Sequence, residues 1–361
     1  ESATGCPTMR LPILMLLPLF AACEAQRQDP AAATVDASLP LRADALHAAS
    51  CPDDVNFARA EAVSLTATPI DMPRPDFGDA VFVGGWALAS EDERFGGLSG
   101  LDRFPSGTLL AASDGGAFVW ISMDAQDAPT GSASLAFMRG ANGEQLSGKR
   151  QGDAEGLVLA EGLALVSFER DHRVLAYDLK GCGAGARGAN AVDFADDTFG
   201  LNQSIDGNKG LEALAYDPLG GHLFAGLETI VEDKAPTAAL VETPSSAAFY
   251  PTVPAPDGKA LTGFATTGNN PRDLRLYSVL RAYDRERGNR IDLQRTLGFN
   301  GDTETLFTLA KPLPVDNFEG LAARRLTNGH DRIYLVADDN FSDRQRTLLF
   351  IFDIAANDAA N

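Results

Sequence analysis

Acidic and hydroxyl residues open and close four short apolar hairpins along this chain. The two polar residues of each hairpin stand 15, 14, 16 and 19 positions apart, with a Gly-containing pair at or beside the midpoint. The pairs are Ser99 and Asp114, Glu155 and Glu169, Glu212 and Glu228, and Glu319 and Asp338. Residues equidistant from a hairpin turn lie opposite one another, with Cβ atoms about 5 Å apart. Each hairpin therefore presents two oxygen-bearing side chains at its open end.

Carboxylates in this number are suited to binding a hard divalent cation. Oxygen ligands select Ca²⁺ or Mg²⁺, and such a cation polarises a phosphoryl or carbonyl oxygen and lowers the pKa of bound water. We expect Ca²⁺, with six acids as ligands: Asp114, Glu155, Glu212, Glu228, Glu319 and Asp338. Direct acid or base roles are assigned to Glu155, Glu169, Glu212 and, as a general base, His172. Alternatively, the acids are purely structural and accept hydrogen bonds from strand ends and turns.

Basic residues stand beside these acids in the sequence. They could face the same site and bind the oxygens of an anionic group, because guanidinium and ammonium groups donate strong hydrogen bonds to phosphate. The predicted substrate-binding residues are Arg170, Arg173, Lys209 and Arg344.

The elements that must position these side chains are short β-strands. A third apolar segment follows each hairpin, beginning at Ala117, Arg173, Leu276 and Thr347. The hairpins start 56, 57 and 107 residues apart, and the shorter period is typical of β-propeller blades. We therefore predict an all-β propeller with four recognisable blades and room for five or six. A strand from Ala80 is expected to pair with the one from Thr347 and close the ring.

A long segment at residues 231–272 interrupts the third unit. It is rich in Pro, Ala, Thr and Gly and is longer than an ordinary loop. The sequence favours an insertion here, either a lid over the acidic mouth or a degenerate extra blade. Residues 238–242 and 260–266 are its possible strands.

The charge balance limits the partners. Fifty acidic against 30 basic residues give a formal net charge of −20 at pH 7, which excludes nucleic acid as the expected ligand. A small phosphorylated substrate would also be repelled unless a cation or local basic residues offset the charge.

The N-terminal residues indicate export. Residues 1–23 form a signal-like stretch whose apolar part, residues 11–20, is too short to span a bilayer. It ends in Ala21-Ala22-Cys23, which resembles a bacterial lipoprotein processing site; an ordinary cleaved signal is the alternative. We expect a lipid on Cys23 and a location in the periplasm or on the outer membrane. Residues 24–50 are predicted to be a flexible tether and residues 51–361 the propeller domain.

Two cysteines lie within the predicted propeller domain. In an oxidising compartment Cys51 and Cys182 either form a disulfide or remain isolated thiols. Neither has neighbours at metal-ligand spacing, so no zinc site is expected.

Several strings carry a resemblance to a known family. They are FGGLSGLDRFPSGTLLAASDGG, GDAEGLVLAEGLALVSFERDHRVLAYDL, NKGLEALAYDPLGGHLFAGLE, DNFEGLAARRL and YLVADDNFSDRQRTLLFIFDI. Together they resemble the bacterial phytase-like family, described as having esterase-like activity of phytase, over residues 82–354 with a gap at residues 229–273. The resemblance implies phytase or phosphodiesterase chemistry. It places the family's acids at Asp114, Glu155, Glu169, Glu212, Glu228, Glu319 and Asp338.

Three functions remain open at this point. The first is a metal-dependent hydrolase of phosphate esters at the cell envelope. The second is a non-catalytic propeller that binds a ligand or partner, with structural acids. The third is a lactonase-like esterase in which one calcium ion activates an ester carbonyl.

Overall fold

The fold is built almost entirely from short antiparallel strands. The computed structural model describes residues 38–73, 77–193, 210–228, 236–243, 246–299 and 301–355. In chain order the elements are α1 (Leu39–Ser50), β1 (Glu61–Ser64), β2 (Thr66–Pro69), β3 (Ala80–Ala89), β4 (Leu98–Arg103), β5 (Leu109–Ser113), β6 (Ala117–Met123), β7 (Pro129–Phe137), α2 (Gly148–Gly152), β8 (Ala154–Ala160), β9 (Leu163–Phe168), β10 (Arg173–Tyr177), β11 (Ala189–Asp193), β12 (Leu211–Asp217), β13 (His222–Leu227), β14 (Thr237–Thr243), β15 (Ser246–Thr252), a 3₁₀ turn (Pro256–Gly258), β16 (Ala260–Thr267), β17 (Arg275–Asp284), β18 (Gly288–Leu297), β19 (Thr303–Ala310), β20 (Asn317–Arg325), β21 (Asp331–Asp338) and β22 (Thr347–Ile354).

These strands form five sheets, which are the blades of a propeller. Blade 1 has the strand order β4-β5-β6-β7-β1, blade 2 β8-β9-β10-β11, blade 3 β12-β13-β14-β15, blade 4 β16-β17-β18-β19 and blade 5 β20-β21-β22-β3-β2. The first strand of each blade contacts the first strands of both neighbouring blades, and β20 returns to contact β4. The five first strands therefore surround one axis, which confirms the predicted propeller and fixes the blade number at five.

The core lies between the blades. Five hydrophobic clusters each join two adjacent blades, so every blade buries both of its faces. Successive side chains of a strand point to opposite faces. In β5, Leu109 and Ala111 accordingly pack toward blade 5, whereas Leu110 and Ala112 pack toward blade 2. This explains why the strands are continuously apolar rather than alternating.

The ring closes where the two ends of the propeller meet. β3 pairs antiparallel with β22, as predicted, with Gly85 opposite Phe350. The Phe82 ring lies edge-on to Phe350, with ring centroids 5.7 Å apart. Pairing of the N-terminal strand with the C-terminal strand leaves no open gap in blade 5.

The segment at residues 231–272 is not an insertion, and this prediction was wrong. β14 and β15 complete blade 3, and β16 is the first strand of blade 4. The strand around Leu276, assigned above to the third unit, is β17 of blade 4. The extra-blade alternative is correct for residues 260–272, which begin blade 4, and wrong for β14 and β15, which belong to blade 3. Blade 4 escaped recognition because it opens with Thr262-Gly263-Phe264 instead of an acid.

The folded region begins before Cys51. Residues 39–50, placed above in the tether, form α1, in which Leu39 and Leu46 are buried against blades 2 and 3. A guanidinium nitrogen of Arg42 also donates to the Ala191 carbonyl over 2.8 Å. Buried leucines stabilise this packing, which a flexible tether would not provide. The predicted signal stretch, Cys23 and the rest of the tether up to residue 37 lie outside the described residues.

A disulfide joins the start of the propeller to the loop after β10. Cys51 and Cys182 are bonded, with Cα atoms 5.6 Å apart. The alternative of two isolated thiols is therefore excluded in this structure. Within the described part of the chain, no helix is both long and apolar enough to cross a membrane.

Candidate active site

The first strand of every blade carries the same irregularity near its start. The pairing of β4, β8, β12, β16 and β20 with the next strand shifts register there, which marks a β-bulge. The residue in the bulge is followed by Gly or Ala and then by Leu or Phe. The five bulge residues, which we call the inner ring, are Ser99, Glu155, Glu212, Thr262 and Glu319. All five are buried at one mouth of the central axis.

A second set of residues lies on the second strand of each blade or directly after it, where that strand returns to the mouth. We call it the outer ring: Asp114, Glu169, Glu228, Arg281 and Asp338. In blade 4, Arg281 pairs with Ala260, as Asp338 pairs with Asn317 in blade 5. The predicted hairpins are present, but their predicted register was wrong by two residues: because of the bulge, Asp114, Glu169, Glu228 and Asp338 lie opposite Gly97, Asp153, Gly210 and Asn317. Blade 4 adds a hydroxyl and a cation to the two rings.

The electrostatics show that the acids of different blades converge. Burial raises the pKa of Glu155 well above its ordinary value, and the charges of Glu212 and Glu319 raise it further. Burial also raises the pKa of Glu212 strongly, with added contributions from Glu228 and Glu319. Carboxylates that raise one another's pKa in this way must lie near each other.

The outer ring is affected similarly. Burial raises the pKa of Glu169 to about 7, although the Gly210 amide hydrogen bond partly opposes the shift. Burial raises the pKa of Asp338 to about 8, and the Glu319 charge adds to the effect. At neutral pH the cation-free mouth therefore retains protons that a divalent ion would displace.

Three carboxylates are close enough together to share one ion. Oxygen atoms of Asp153, Glu155 and Glu169 lie within 4.8 Å of one another, and all three residues are buried. Two oxygens bound to one Ca²⁺ at its usual ligand distance can be up to about 5 Å apart. The donor set, which is all hard oxygen, therefore fits Ca²⁺ or Mg²⁺. We call these residues the blade 2 triad.

Sequence reasoning missed Asp153. A signal was present, because Asp153-Ala154-Glu155-Gly156 in blade 2 matches Asn317-Phe318-Glu319-Gly320 in blade 5. In blade 5 the Asn317 amide donates to a Glu319 carboxylate oxygen over 2.9 Å. The position two residues before the bulge glutamate thus faces the mouth in both blades.

Cations lie on two sides of this mouth. Lys149 from α2 contacts Asp114 and lies 2.8 Å from Asp153, and Arg170 donates to the other Asp153 oxygen over 2.7 Å. Across the axis, an Arg281 nitrogen lies 3.4 Å from Glu319. Lys149 and Arg281 were not predicted, since Lys149 stands outside the repeated hairpins and Arg281 replaces the expected acid.

The other predicted basic residues are placed differently. Arg173 donates to the Asp171 and Gln151 carbonyls over 2.9 and 2.7 Å, and its guanidinium lies 4.4 Å above the Phe168 ring. Its guanidinium is thus held against Asp171, Gln151 and Phe168 rather than against an acid of either ring. Arg344 is exposed on the loop after Asp338. Lys209 lies outside the described residues.

His172 is buried beside the acids. A Cβ added to Gly210 would lie 2.7 Å from His172 Nδ1 and 2.9 Å from the Glu169 Cγ, which places the imidazole next to the outer ring. Its role as a general base stays a prediction.

The axis below the rings is closed. Leu101, Leu157, Leu214, Phe264 and Leu321 line it beneath the inner ring, and the cavity there measures about 10 Å³. Such a space holds one water at most. A ligand must therefore enter and leave through the acidic mouth.

Five blades around an acid-lined mouth define the molecule as a five-bladed β-propeller with a candidate cation site. The family model for esterase-like activity of phytase matches residues 93–341. The chain therefore belongs to the phytase-like family. No curated protein matches it.

Solved structures of similar fold are distant in sequence. A PQQ-bound aldose sugar dehydrogenase from Streptomyces coelicolor is 13% identical, with a TM-score of 0.39 over 81% of this chain and 99% of the other. Glutaminyl cyclase from Myxococcus xanthus is 12% identical, with a TM-score of 0.41 over 83% of this chain and 100% of the other. An endo-arabinase from Bacteroides thetaiotaomicron is 11% identical, with a TM-score of 0.44 over 72% and 95%. At these values the likenesses carry no functional argument.

Proposed function

We propose that the acidic mouth binds one divalent cation, Ca²⁺ in the first place, and hydrolyses a phosphate ester of a small molecule. The observation that carries this proposal is the blade 2 triad, in which three buried carboxylates come within 4.8 Å of one another beside Arg170 and Lys149. Membership of the phytase-like family supports the same chemistry.

The cation would be held by Asp153, Glu155 and Glu169. When bound, it supplies Lewis-acid polarisation of a substrate oxygen and a lowered pKa for bound water. Asp153 already pairs with Lys149 and Arg170, so a cation must share this carboxylate with them. Their positive charge lowers the affinity of the triad for a metal but leaves donors near any phosphate bound there.

The remaining charged groups would orient the substrate. Arg170 on one side and Arg281 on the other can donate to phosphate oxygens, since both guanidinium groups border the rings. Glu212 lies in the inner ring outside the triad, and burial raises its pKa well above the ordinary value, which favours the protonated form. It can therefore give a proton to the leaving alcohol oxygen as a general acid.

These cations favour a phosphate ester over an uncharged lactone. A neutral carbonyl needs no guanidinium partner, whereas a phosphate dianion entering a mouth this acidic does. Lactone opening and ligand binding without turnover are the competing outcomes of the experiment below.

The first experiment is calorimetric titration of Ca²⁺ into metal-stripped protein, compared with Asp153→Asn. Asp302→Asn is a matched control, because it removes the same charge from an exposed residue at the far end of blade 4. We expect binding in wild type and control and loss in Asp153→Asn. If the wild type binds no Ca²⁺, the proposed metal site is wrong. Binding without phosphate release from aryl or alkyl phosphates would favour the lactonase or the non-catalytic alternative.

Export and lipid attachment form a separate proposal. The apolar residues 11–20 followed by Ala21-Ala22-Cys23 support processing at Cys23 and a place at the cell envelope. Incorporation of labelled palmitate in bacteria expressing the full chain tests it. Label that persists in Cys23→Ala would contradict lipid attachment at this residue.

A further inference from the structure

An exposed aromatic side chain lies at the rim of the acidic mouth. Phe341 is in the loop that follows Asp338, and 48% of its surface is accessible to solvent. Its ring lies against the backbone of Gly96, Gly97 and Gly115: a Cβ added to these glycines would come within 3.1, 2.5 and 3.2 Å of a ring carbon. One side of the ring thus rests on glycines, and about half of its surface stays open to solvent.

The loop holds Phe341 in an unusual backbone conformation. Asn340 and Phe341 have φ angles of 50° and 47°, in the left-handed region that disfavours a bulky side chain. Asp339 fixes this conformation, because one carboxylate oxygen accepts from the Phe341 and Gly97 amides over 3.0 and 2.9 Å. The other oxygen accepts from the Thr347 hydroxyl over 2.8 Å. Strain of this kind persists where the surrounding contacts impose it, and it often occurs at functional sites.

The ring adjoins a carboxylate oxygen without a partner. The same Cβ on Gly97 would lie 2.1 Å from Asp114 Oδ1 and 2.5 Å from Phe341 Cε2, so oxygen and ring edge are neighbours. Asp114 is 8% exposed, and within the described part of the chain its Oδ1 accepts no hydrogen bond. Because Lys149 contacts both Asp114 and the triad residue Asp153, the exposed side of the Phe341 ring borders the same mouth as the blade 2 triad.

We propose that Phe341 contacts the substrate: its open face stacks on a flat apolar group, so the preferred esters carry an aryl ring next to the phosphate. The position of the phosphate rests on the proposed function, because the blade 2 triad, Arg170 and Arg281 locate it. Phe341 adjoins Asp114 of the outer ring, and the alcohol part of the ester would extend toward it.

The test compares two ligands that cannot be hydrolysed, phenylphosphonate and methylphosphonate. Each is titrated calorimetrically into Ca²⁺-loaded wild type, Phe341→Ala and Phe341→Tyr. Stacking of one aromatic pair predicts that the wild type binds the phenyl compound roughly fivefold to tenfold more tightly than the methyl compound. We expect this ratio to fall to about one in Phe341→Ala and to persist in Phe341→Tyr, which keeps the ring.

Phe57→Ala is the control, since Phe57 is an exposed aromatic residue whose ring lies against Gly183, in the loop after β10 at the end of blade 2 opposite Glu169. A wild type that shows no phenyl preference, or that binds neither compound, overturns the inference, as does a preference that survives in Phe341→Ala. A phenyl preference that depends on Phe341 in a protein that hydrolyses no phosphate ester would uphold the inference and reject the proposed turnover.

Discussion

Blades 2 and 4 share one backbone and differ in charge. Both begin with a bulge followed by glycine, and in both the second strand returns to the same mouth. At equivalent positions blade 2 carries Glu155 and Glu169, whereas blade 4 carries Thr262 and Arg281. The propeller therefore fixes where side chains converge, and the residue types decide what binds there.

This difference gives the mouth two sides. The blade 2 side has clustered carboxylates and suits a cation, while the blade 4 side has a guanidinium that suits an anion. A fully acidic ring would attract metal but repel phosphate. The replacement of the two acids by Thr262 and Arg281 in blade 4 thus makes an acidic propeller compatible with an anionic substrate.

The largest expected effect comes from removing the bulge acid of blade 2. Glu155→Gln should weaken Ca²⁺ binding roughly 100-fold or more, because it deletes a charged ligand. Thr262→Val changes the same ring position in blade 4 and should leave Ca²⁺ affinity unchanged. Calorimetric titration of both variants measures this contrast. Equal losses of Ca²⁺ affinity in the two variants would show that blades 2 and 4 contribute equally to metal binding.

The second effect is a dependence of stability on pH, which originates in two buried acids of the outer ring. The pKa of Glu169 rises from 4.5 to about 7 on folding and that of Asp338 from 3.8 to about 8. Between the unfolded and the folded pKa of each residue, the folded state binds more protons than the unfolded state. The free energy of unfolding without metal therefore falls as pH increases from about 4 to 8. Glu169 alone contributes on the order of 3 kcal/mol to this fall.

Urea unfolding across this pH range, with and without Ca²⁺, checks the sign. Ca²⁺ should stabilise the protein more at pH 8 than at pH 5, since it binds the ionised acids. Glu169→Gln should flatten the profile between pH 5 and 7. A metal-free protein that becomes more stable toward pH 8 would contradict the raised pKa values.

The third effect tests the backbone that the two blades share. A Cβ added at Gly156 in blade 2 would lie 2.8 Å from the Leu214 amide nitrogen, and one at Gly263 in blade 4 would lie 2.3 Å from the Glu319 carbonyl oxygen. Each change to Ala should therefore cost about 1–3 kcal/mol, whatever the charge of the blade. Ala213→Gly, at the same position in blade 3, should cost only about 1 kcal/mol. Urea unfolding measures the free energy of unfolding of the three variants. An unchanged value in Gly263→Ala would show that the inner strands pack more loosely than the structure indicates.

The repeated hairpins could be recognised from the sequence wherever an acidic residue marked the start of the hairpin. The spacing of Glu155, Glu212 and Glu319 predicted the hairpins, their common mouth and the propeller, because hairpin register follows from turn position. Pairing of β3 with β22 followed from the need to close the ring.

Blade 4 was not readable in the same way. Its hairpin lacks the acids that made the others visible, so Arg281 could be recognised only from the pairing of β16 with β17. Lys149 was hidden for a different reason: it lies on a short helix between blades and reaches Asp114, 35 residues earlier in the chain, only through tertiary structure. Repeated strands can be inferred locally, whereas contacts made by connecting segments depend on the completed ring.

The smallest effect is the most direct test of a two-sided mouth. Arg281→Gln removes the blade 4 cation and should weaken methylphosphonate binding to the Ca²⁺-loaded protein about tenfold, the value of one charge-assisted hydrogen bond. Affinity for Ca²⁺ alone should stay the same or increase slightly, because a positive charge near Glu319 is lost. Glu155→Gln should have the opposite pattern and weaken Ca²⁺ binding more than any other measured property. If Arg281→Gln instead abolished Ca²⁺ binding, the rings would act as one coupled unit and blades 2 and 4 would have no separate roles.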